Sequence, residues 1–445
     1  MSYPPRAVPV VGRDRISSID VLRGVALLGI LLMNIVAMGL PHWAYDDPVI
    51  VGNRSPADYW VWAVNAVLFE GKMRTIFSML FGAGIILITT RAEEKAGRDA
   101  PADIHLRRNM WLVLFGMIHG YLLLWPGDIL YMYGLAGMFL FVFRRVRPRN
   151  LLILGAVILA LQIPKMYGMS RGLSEAREGL ARIQAQTAGG GQLSTEDKEK
   201  QKEWQETSAE VRPAPDKVQK ELDDRRAGYG RNLVTLAPIV FMLETKMAYA
   251  IGIWDVAGMM LLGMALMKLG VFSAAKSYKF YAVMALAGYT YGISAGTFVV
   301  WDWTRHGFTP GTRWLTLYDT TRLAVAMGHI AVVMMICKAG VLRVLTRPLA
   351  AVGQMALTNY IMHSVIVMFV FTGLGFSLFG QLARHQLYYV VGAIWLFQLI
   401  ASPIWLRYFQ FGPLEWLWRS LTYNKKQPMR IRREVAQPEP AAAVV

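Results

Sequence analysis

The sequence predicts an all-α polytopic membrane protein of about ten transmembrane helices, and three observations carry that prediction. Hydrophobic residues make up 55% of the 445-residue chain and charged residues only 17%, with a mean hydropathy of +0.34, oilier than a soluble domain of ordinary composition. Apolar runs of about 20 residues recur along the chain, each long enough to cross roughly 30 Å of hydrocarbon as helix. The net charge of +17 is placed by position: residues 171–230 hold 12 acidic and 11 basic groups, leaving 36 basic and 18 acidic groups elsewhere. Basicity confined to the hydrophobic part reads as membrane topology and argues against a nucleic-acid partner.

The elements follow in order. The amino-terminal MSYPPRAVPVVGRDR is polar, and the apolar run behind it is too long for a signal core and lacks a small-residue exit, so the first helix is expected to be retained. Spans are expected near 19–40, 72–90, 108–125, 128–143, 150–168, 248–267, 280–301, 316–337, 348–372 and 387–406. With the amino terminus inside, the inner segments carry 25 Lys and Arg and the short outer loops 4, so both termini are expected in the cytoplasm. Residues 57–69 and 231–247 are apolar, precede a span and carry Glu70 and Glu244 near their ends; they read as amphipathic or re-entrant helices on the outer side.

Four regions result: a first membrane half over 1–170, a charged extracytoplasmic insertion over 171–230, a second membrane half over 231–423 and a tail over 424–445. The insertion suits two exposed helices joined by the glycines at 189–191, and the Pro/Ala-rich tail reads as disordered. The one cysteine, Cys337, lies in an apolar run, so no disulfide framework and no metal site is expected.

Ionisable and strongly polar groups inside spans are costly and mark candidate functional positions. In the first helix Asp20, Arg23 and Asn34 share one face. An Asp–Arg pair anchoring the helix start is the plain alternative; Arg23 before Gly24 also suits anion binding. Lys72 and Arg74 stand at the outer start of the second span, where snorkelling would also explain a cation. In the third, His119 is followed by the tight WPGD turn and Asp128, which could orient the ring for general-base work; a core histidine beside a capping Asp is the alternative. The eighth span places Asp319, Arg322 and His329 on one stripe, and the ninth puts Asn359 and His363 four apart. If these faces converge, they form a cation-rich cavity for an anionic or hydroxyl-bearing ligand. No Walker loop, HExxH, GxSxG or Cys/His zinc spacing occurs, which speaks against ATP hydrolysis and metalloprotease chemistry.

The segments RISSIDVLRGVALLGILLMNI, FEGKMRTIFSMLFGAG, HGYLLLWPGDILYMYGLAG, GQMALTNYIMHS and FGPLEWLWRSLTY together resemble the YeiB-like bacterial membrane proteins, the domain-of-unknown-function 418 family. That resemblance covers nearly all of the chain outside the insertion and tail and implies a bacterial inner (plasma) membrane location. The opening RISSIDVLRGVA also looks like the first helix of the transmembrane acyltransferase superfamily, which includes the acyltransferase type 3 and heparan N-acetyltransferase-like proteins. Such proteins move an acyl group, usually acetyl from acetyl-CoA, to a sugar or other acceptor through about ten spans. By that likeness Arg23 stands near the donor's path. The type 3 proteins place their catalytic His where this chain has Asn34, and an amide is no general base. His119 or His363 would have to serve instead.

Three function classes follow. The first is an acyltransferase using acyl-CoA as co-substrate, with no bound cofactor. His119 or His363 acts as base and Asp128 as orienting group, while Asp20, Arg23, Asn34, Lys72, Arg74, Asp319, Arg322, His329 and Asn359 line the substrate's path. The alternative is a transporter or flippase for an anionic metabolite or lipid; a sensory or structural membrane partner comes third. The expected partners are the bilayer, acyl-CoA and an envelope acceptor, with a homodimer left open.

Overall fold

The computed structural model describes residues 16–51, 55–96, 100–190, 192–211, 213–308 and 314–431. The amino-terminal arm, Arg54 and Arg313 of the charge tally, Gly191 and the tail from 432 lie outside the described residues. In chain order the α-helices are α1 (Ser17–Gly39), α2 (Pro56–Leu68), α3 (Lys72–Ala96), α4 (Ala100–Tyr121), α5 (Leu130–Leu140), α6 (Pro148–Ala160), α7 (Ile163–Ala188), α8 (Thr195–Val211) and α9 (Pro215–Arg226). They continue with α10 (Tyr229–Met242), α11 (Ile253–Lys268), α12 (Tyr278–Arg305), α13 (Trp314–Ala339), α14 (Arg343–Gln354), α15 (Ala356–Phe371), α16 (Arg384–Tyr408) and α17 (Pro413–Thr422). Among the described residues the only β pairing is an isolated bridge between Phe409 and Arg430.

The chain is a multi-pass membrane protein. Among the described residues, seven helical stretches are long and apolar enough to cross a bilayer, or eight if the bent pair α14–α15 is one span. Two of the ten expected spans fall short of that measure. The first half of α4 carries Asp103, His105, Arg107 and Arg108, and α5 has only 11 residues before a tight turn of 3-10 helix. Burial sorts the spans: 72% of the apolar window of α1 is buried against 22% for α12 and α16, so α1 is the axis and the latter two face lipid.

Close packing around α1 needs small residues. A Cβ on Gly24 would overlap the Leu349 carbonyl of α14, and one on Gly353 the Asp20 carbonyl of α1. The backbones touch there, as helices without a hydrophobic driving force between them must pack. Gly24 therefore admits a neighbouring helix beside Arg23 rather than a ligand. Gly82 of the FGAG stretch meets the Met260 carbonyl of α11 in the same way.

The ninth expected span is broken instead of straight, with α14 and α15 meeting at 83° around Met355. Side chains satisfy the backbone groups that the break releases. Asn359 Nδ2 donates to the Val352 carbonyl at 3.2 Å, and Glu415 Oε1 accepts from the Leu357 and Thr358 amides at 2.6 and 3.1 Å. The expected helix over 231–247 is not separate from the following span: α10 runs through a π-helical stretch, Leu243–Gly252, into α11.

The insertion has three helices where two were expected. α7 begins in the apolar part, and its far half pairs with α8 across the glycine turn; α9 then returns to the bundle. There Glu221 accepts from His42 Nδ1 at 2.9 Å, and Arg226 Nε donates to the Phe379 carbonyl at 2.8 Å. α9 thus covers the end of the bundle where α1 finishes, opposite the end where Asp20 and Arg23 lie.

Candidate functional site

The third expected span and the turn behind it build the core of the site. α4 ends at Tyr121, WPGD turns the chain, and α5 returns antiparallel to α4. Gly116 permits this: a Cβ there would run into the Tyr131 amide and lie 2.7 Å from Asp128 Oδ2. Asp128 then serves two partners. Oδ2 accepts from the Tyr131 amide at 2.9 Å, near the start of α5, and Oδ1 lies 2.7 Å from His119 Nδ1. Asp128 thus both accepts from the α5 backbone and pairs with the His119 ring.

A third residue joins from a distant helix. Ser364 Oγ of α15 lies 2.7 Å from His119 Nε2, with all three side chains buried. An ionised carboxylate can only accept, so against ionised Asp128 His119 donates through Nδ1, and in the neutral ring Nε2 then accepts from the Ser364 hydroxyl. The Tyr360 ring stands edge-on to the imidazole, ring centres 5.0 Å apart. This is the nucleophile–base–carboxylate order of a Ser-His-Asp triad, assembled from the α4–α5 hairpin and the helix after the break.

Cavities approach this chain from two directions. The larger, about 210 Å³, opens among the first turns of α1, the ends of α3 and α4 nearest to them, the α14–α15 break and α17. Arg23, Arg91, Arg108 and Arg419 line it together with Asp20 and Glu415, an excess of two positive charges. Asp20 pairs with Arg23 at 3.0 Å. Burial pushes the Glu415 carboxyl up, opposed by its hydrogen bonds to Thr358 and the α15 backbone. Farther in, the lining is apolar, with Phe77, Leu80, Phe81, Leu112 and Leu130, and it includes Tyr133 and Tyr360. On the opposite side a small cavity of about 20 Å³ is lined by Ser364, Thr372, Arg225 and Asn232.

The other expected residues divide into separate groups and do not converge on one cavity. Asn34 lines a different space of about 80 Å³ with Tyr45, Glu70 and Arg74, flanked by Gly127 and Ile129 on either side of Asp128. Arg74 donates to Asp255 at 2.8 Å, and Arg322 pairs with Asp255 and, at 2.7 Å, with Asp319. Lys72 donates to the Ala66 carbonyl at 2.6 Å, and the Tyr318 hydroxyl to Glu70 at 2.9 Å. Arg322 is thus committed to carboxylates in a network that closes on itself. His329 joins Tyr289 Oη and the Leu68 carbonyl, both at 2.8 Å. Asn359 bonds Ser402 at 3.0 Å, and His363 Nε2 bonds Gln398 at 3.0 Å. His363 is buried, and its Nδ1 has no hydrogen-bond partner among the described residues.

Sequence reasoning missed Ser364 and Asp255. A serine in an apolar helix carries no signal of its own, but Asp255 in IGIWDVAG could have been found, because a carboxylate in a span requires a cation.

The family model described as "Protein of unknown function (DUF418)" matches residues 266–425, which contain Ser364 but not His119 or Asp128. Full-length relatives extend the likeness over both halves. "Uncharacterized protein YeiB" of Escherichia coli strain K12 is 32% identical over 431 residues, 93% of this chain and 98% of that protein. "Uncharacterized protein YxaH" of Bacillus subtilis strain 168 is 29% identical over 444 residues, 96% of this chain and 99% of that protein.

Proposed function

The chain belongs to the DUF418 family of YeiB-like proteins, and we propose that it is a membrane-embedded acyltransferase moving an acyl group, acetyl in the simplest case, from a cytoplasmic acyl-CoA-type donor to an envelope glycan, lipid or small-molecule acceptor. One observation carries this reading: the buried Ser364–His119–Asp128 chain stands between an arginine-lined cavity and a second cavity on the opposite side. The arginines suit the phosphates of a CoA-type donor, and the apolar interior suits its acyl-pantetheine arm. The reading places the chain in a bacterial inner membrane with Arg23 and Arg108 on the cytoplasmic side, in about ten passages that count α4 and α5 as crossings.

Chemistry follows from the hydrogen-bond order. Ser364 Oγ attacks the thioester carbonyl while His119 Nε2 takes the hydroxyl proton; the C–S bond breaks, and His119 returns that proton to the departing thiolate. An acceptor hydroxyl then attacks the acyl-serine, His119 takes its proton and passes it to Ser364 Oγ. Asp128 holds the imidazole in the required tautomer and steadies the imidazolium formed in each step. His363, turned to Gln398, has no part.

The test is purified protein with acetyl-CoA labelled in the acetyl group. Wild type is expected to release free CoA and to retain label that hydroxylamine removes. His119→Ala should lower CoA release by roughly 10²–10⁴-fold, and His363→Ala should leave most of it. No donor turnover by wild type, combined with counterflow of an anionic substrate in liposomes, would replace this reading by a transporter.

A further inference from the structure

The insertion helix α9 brings an arginine into the interior of the bundle. Arg225 is 6% exposed, and its Nε and Nη1 have no hydrogen-bond partner among the described residues. The face of the guanidinium lies against the Phe379 ring, 4.9 Å from its centre. On the same helix Glu221, whose charge acts on Arg225, is turned to His42, and Asp224 is paired with Arg231. Burial pulls the Arg225 guanidinium down to about 10, with Glu221 opposing, so at neutral pH it is a buried cation without a bonded anion. Such a charge is costly unless a counter-charge meets it.

Asn232 of α10 stands beside it, also buried, with the opposite deficiency. Its Nδ2 is held by the carbonyls of Arg225, Ala227 and Gly228 at 3.1, 3.0 and 3.3 Å, which fixes the amide and leaves Oδ1 without a donor. Both side chains line the cavity that ends at Ser364. About 20 Å³ of space holds one small polar group.

We propose that this cavity receives one anionic oxygen of a carboxylate or a phosphate ester, gripped by Arg225 while a neighbouring O–H or N–H of the same ligand donates to Asn232 Oδ1. On the acyltransferase reading, from which the ligand's role derives, the occupant is the acceptor, and Arg225 positions its hydroxyl at Ser364. The insertion then completes the acceptor side of Ser364, while Tyr360, edge-on to His119, lines the donor cavity.

The test uses the full-length protein in lipid nanodiscs with no thioester present. Its melting temperature is followed in potassium acetate, potassium phosphate and potassium chloride at matched ionic strength. We expect melting to rise with acetate, with phosphate or with both, the two arms separating carboxylate from phosphate, and not with chloride. Arg225→Gln should lose that rise while melting no lower than wild type in its absence, because an unpaired buried charge has been removed. Arg225→Lys, which keeps the charge but not the fork, should need more anion for the same rise. A wild type that responds to no anion beyond chloride, or an Arg225→Gln that keeps the full response, overturns the site. Neither result touches donor cleavage at Ser364, so the two readings fail separately.

Discussion

At the residue scale, the proposed acyl transfer rests on which hydrogen bond each nitrogen of His119 makes. Replacing Asp128 by Asn keeps a cap for the Tyr131 amide but offers the ring an amide where a carboxylate stood. The imidazolium then loses its counter-charge, and the tautomer that presents a lone pair to Ser364 is no longer enforced. Asp128→Asn is therefore expected to retain donor binding and to lose at least ~10²-fold in CoA release, checked by binding and turnover on the same preparation. An Asp128→Asn protein with wild-type turnover would remove Asp128 from the mechanism. His119 and Asp128 were legible because they sit nine residues apart around a tight turn. Ser364 was not, because it is 245 residues from His119 and serines are ordinary in apolar helices. In the eighth span, periodicity shows that Asp319 and Arg322 share a face, but not that Asp255 stands there to pair with Arg322.

At the element scale, the broken helix positions the site. α15 starts inside the protein, and its first amides need an acceptor, which the sequence supplies from α17 as Glu415. Thr358 tightens the joint by donating to Glu415 at 2.6 Å and accepting from the Leu414 amide at 3.1 Å. Glu415→Ala is expected to destabilise the protein by about 1–3 kcal/mol, read as a lower melting temperature in detergent; an unchanged melt would mean that α15 is held by something else. Gly353→Ala drives a methyl group into the Asp20 backbone, where overpacking costs typically about 1–3 kcal/mol. The break itself was not readable. GQMALTNYIMHSV has no proline at the bend, and hydropathy cannot distinguish a straight span from two half-helices whose polar ends are satisfied by a distant carboxylate.

At the scale of the whole molecule, the proposed orientation rests on the asymmetry of Lys and Arg, 25 against 4 in the sequence tally, which puts the basic side in the cytoplasm. The arginine-lined cavity opens at the end where α1 begins, and α9 caps the end where α1 finishes. A reporter enzyme fused at Gly190, in the turn between α7 and α8, is expected to be active outside the cytoplasm; cytoplasmic activity would invert the donor and acceptor sides. All-helical membrane architecture was legible from composition and run length alone, since only helices or closed barrels satisfy the backbone in lipid. The number of crossings was less so, because α4 and α5 mix charge and shortness that protein packing, not lipid, makes acceptable.

The most direct test is to locate the donor. Cryo-electron microscopy of the protein with a non-hydrolysable thioether analogue of acetyl-CoA is predicted to show phosphates against Arg23, Arg91, Arg108 and Arg419 and the acyl end beside Tyr360, pointing at Ser364 and His119. An analogue bound elsewhere, or no bound analogue at concentrations that saturate turnover, would contradict the account.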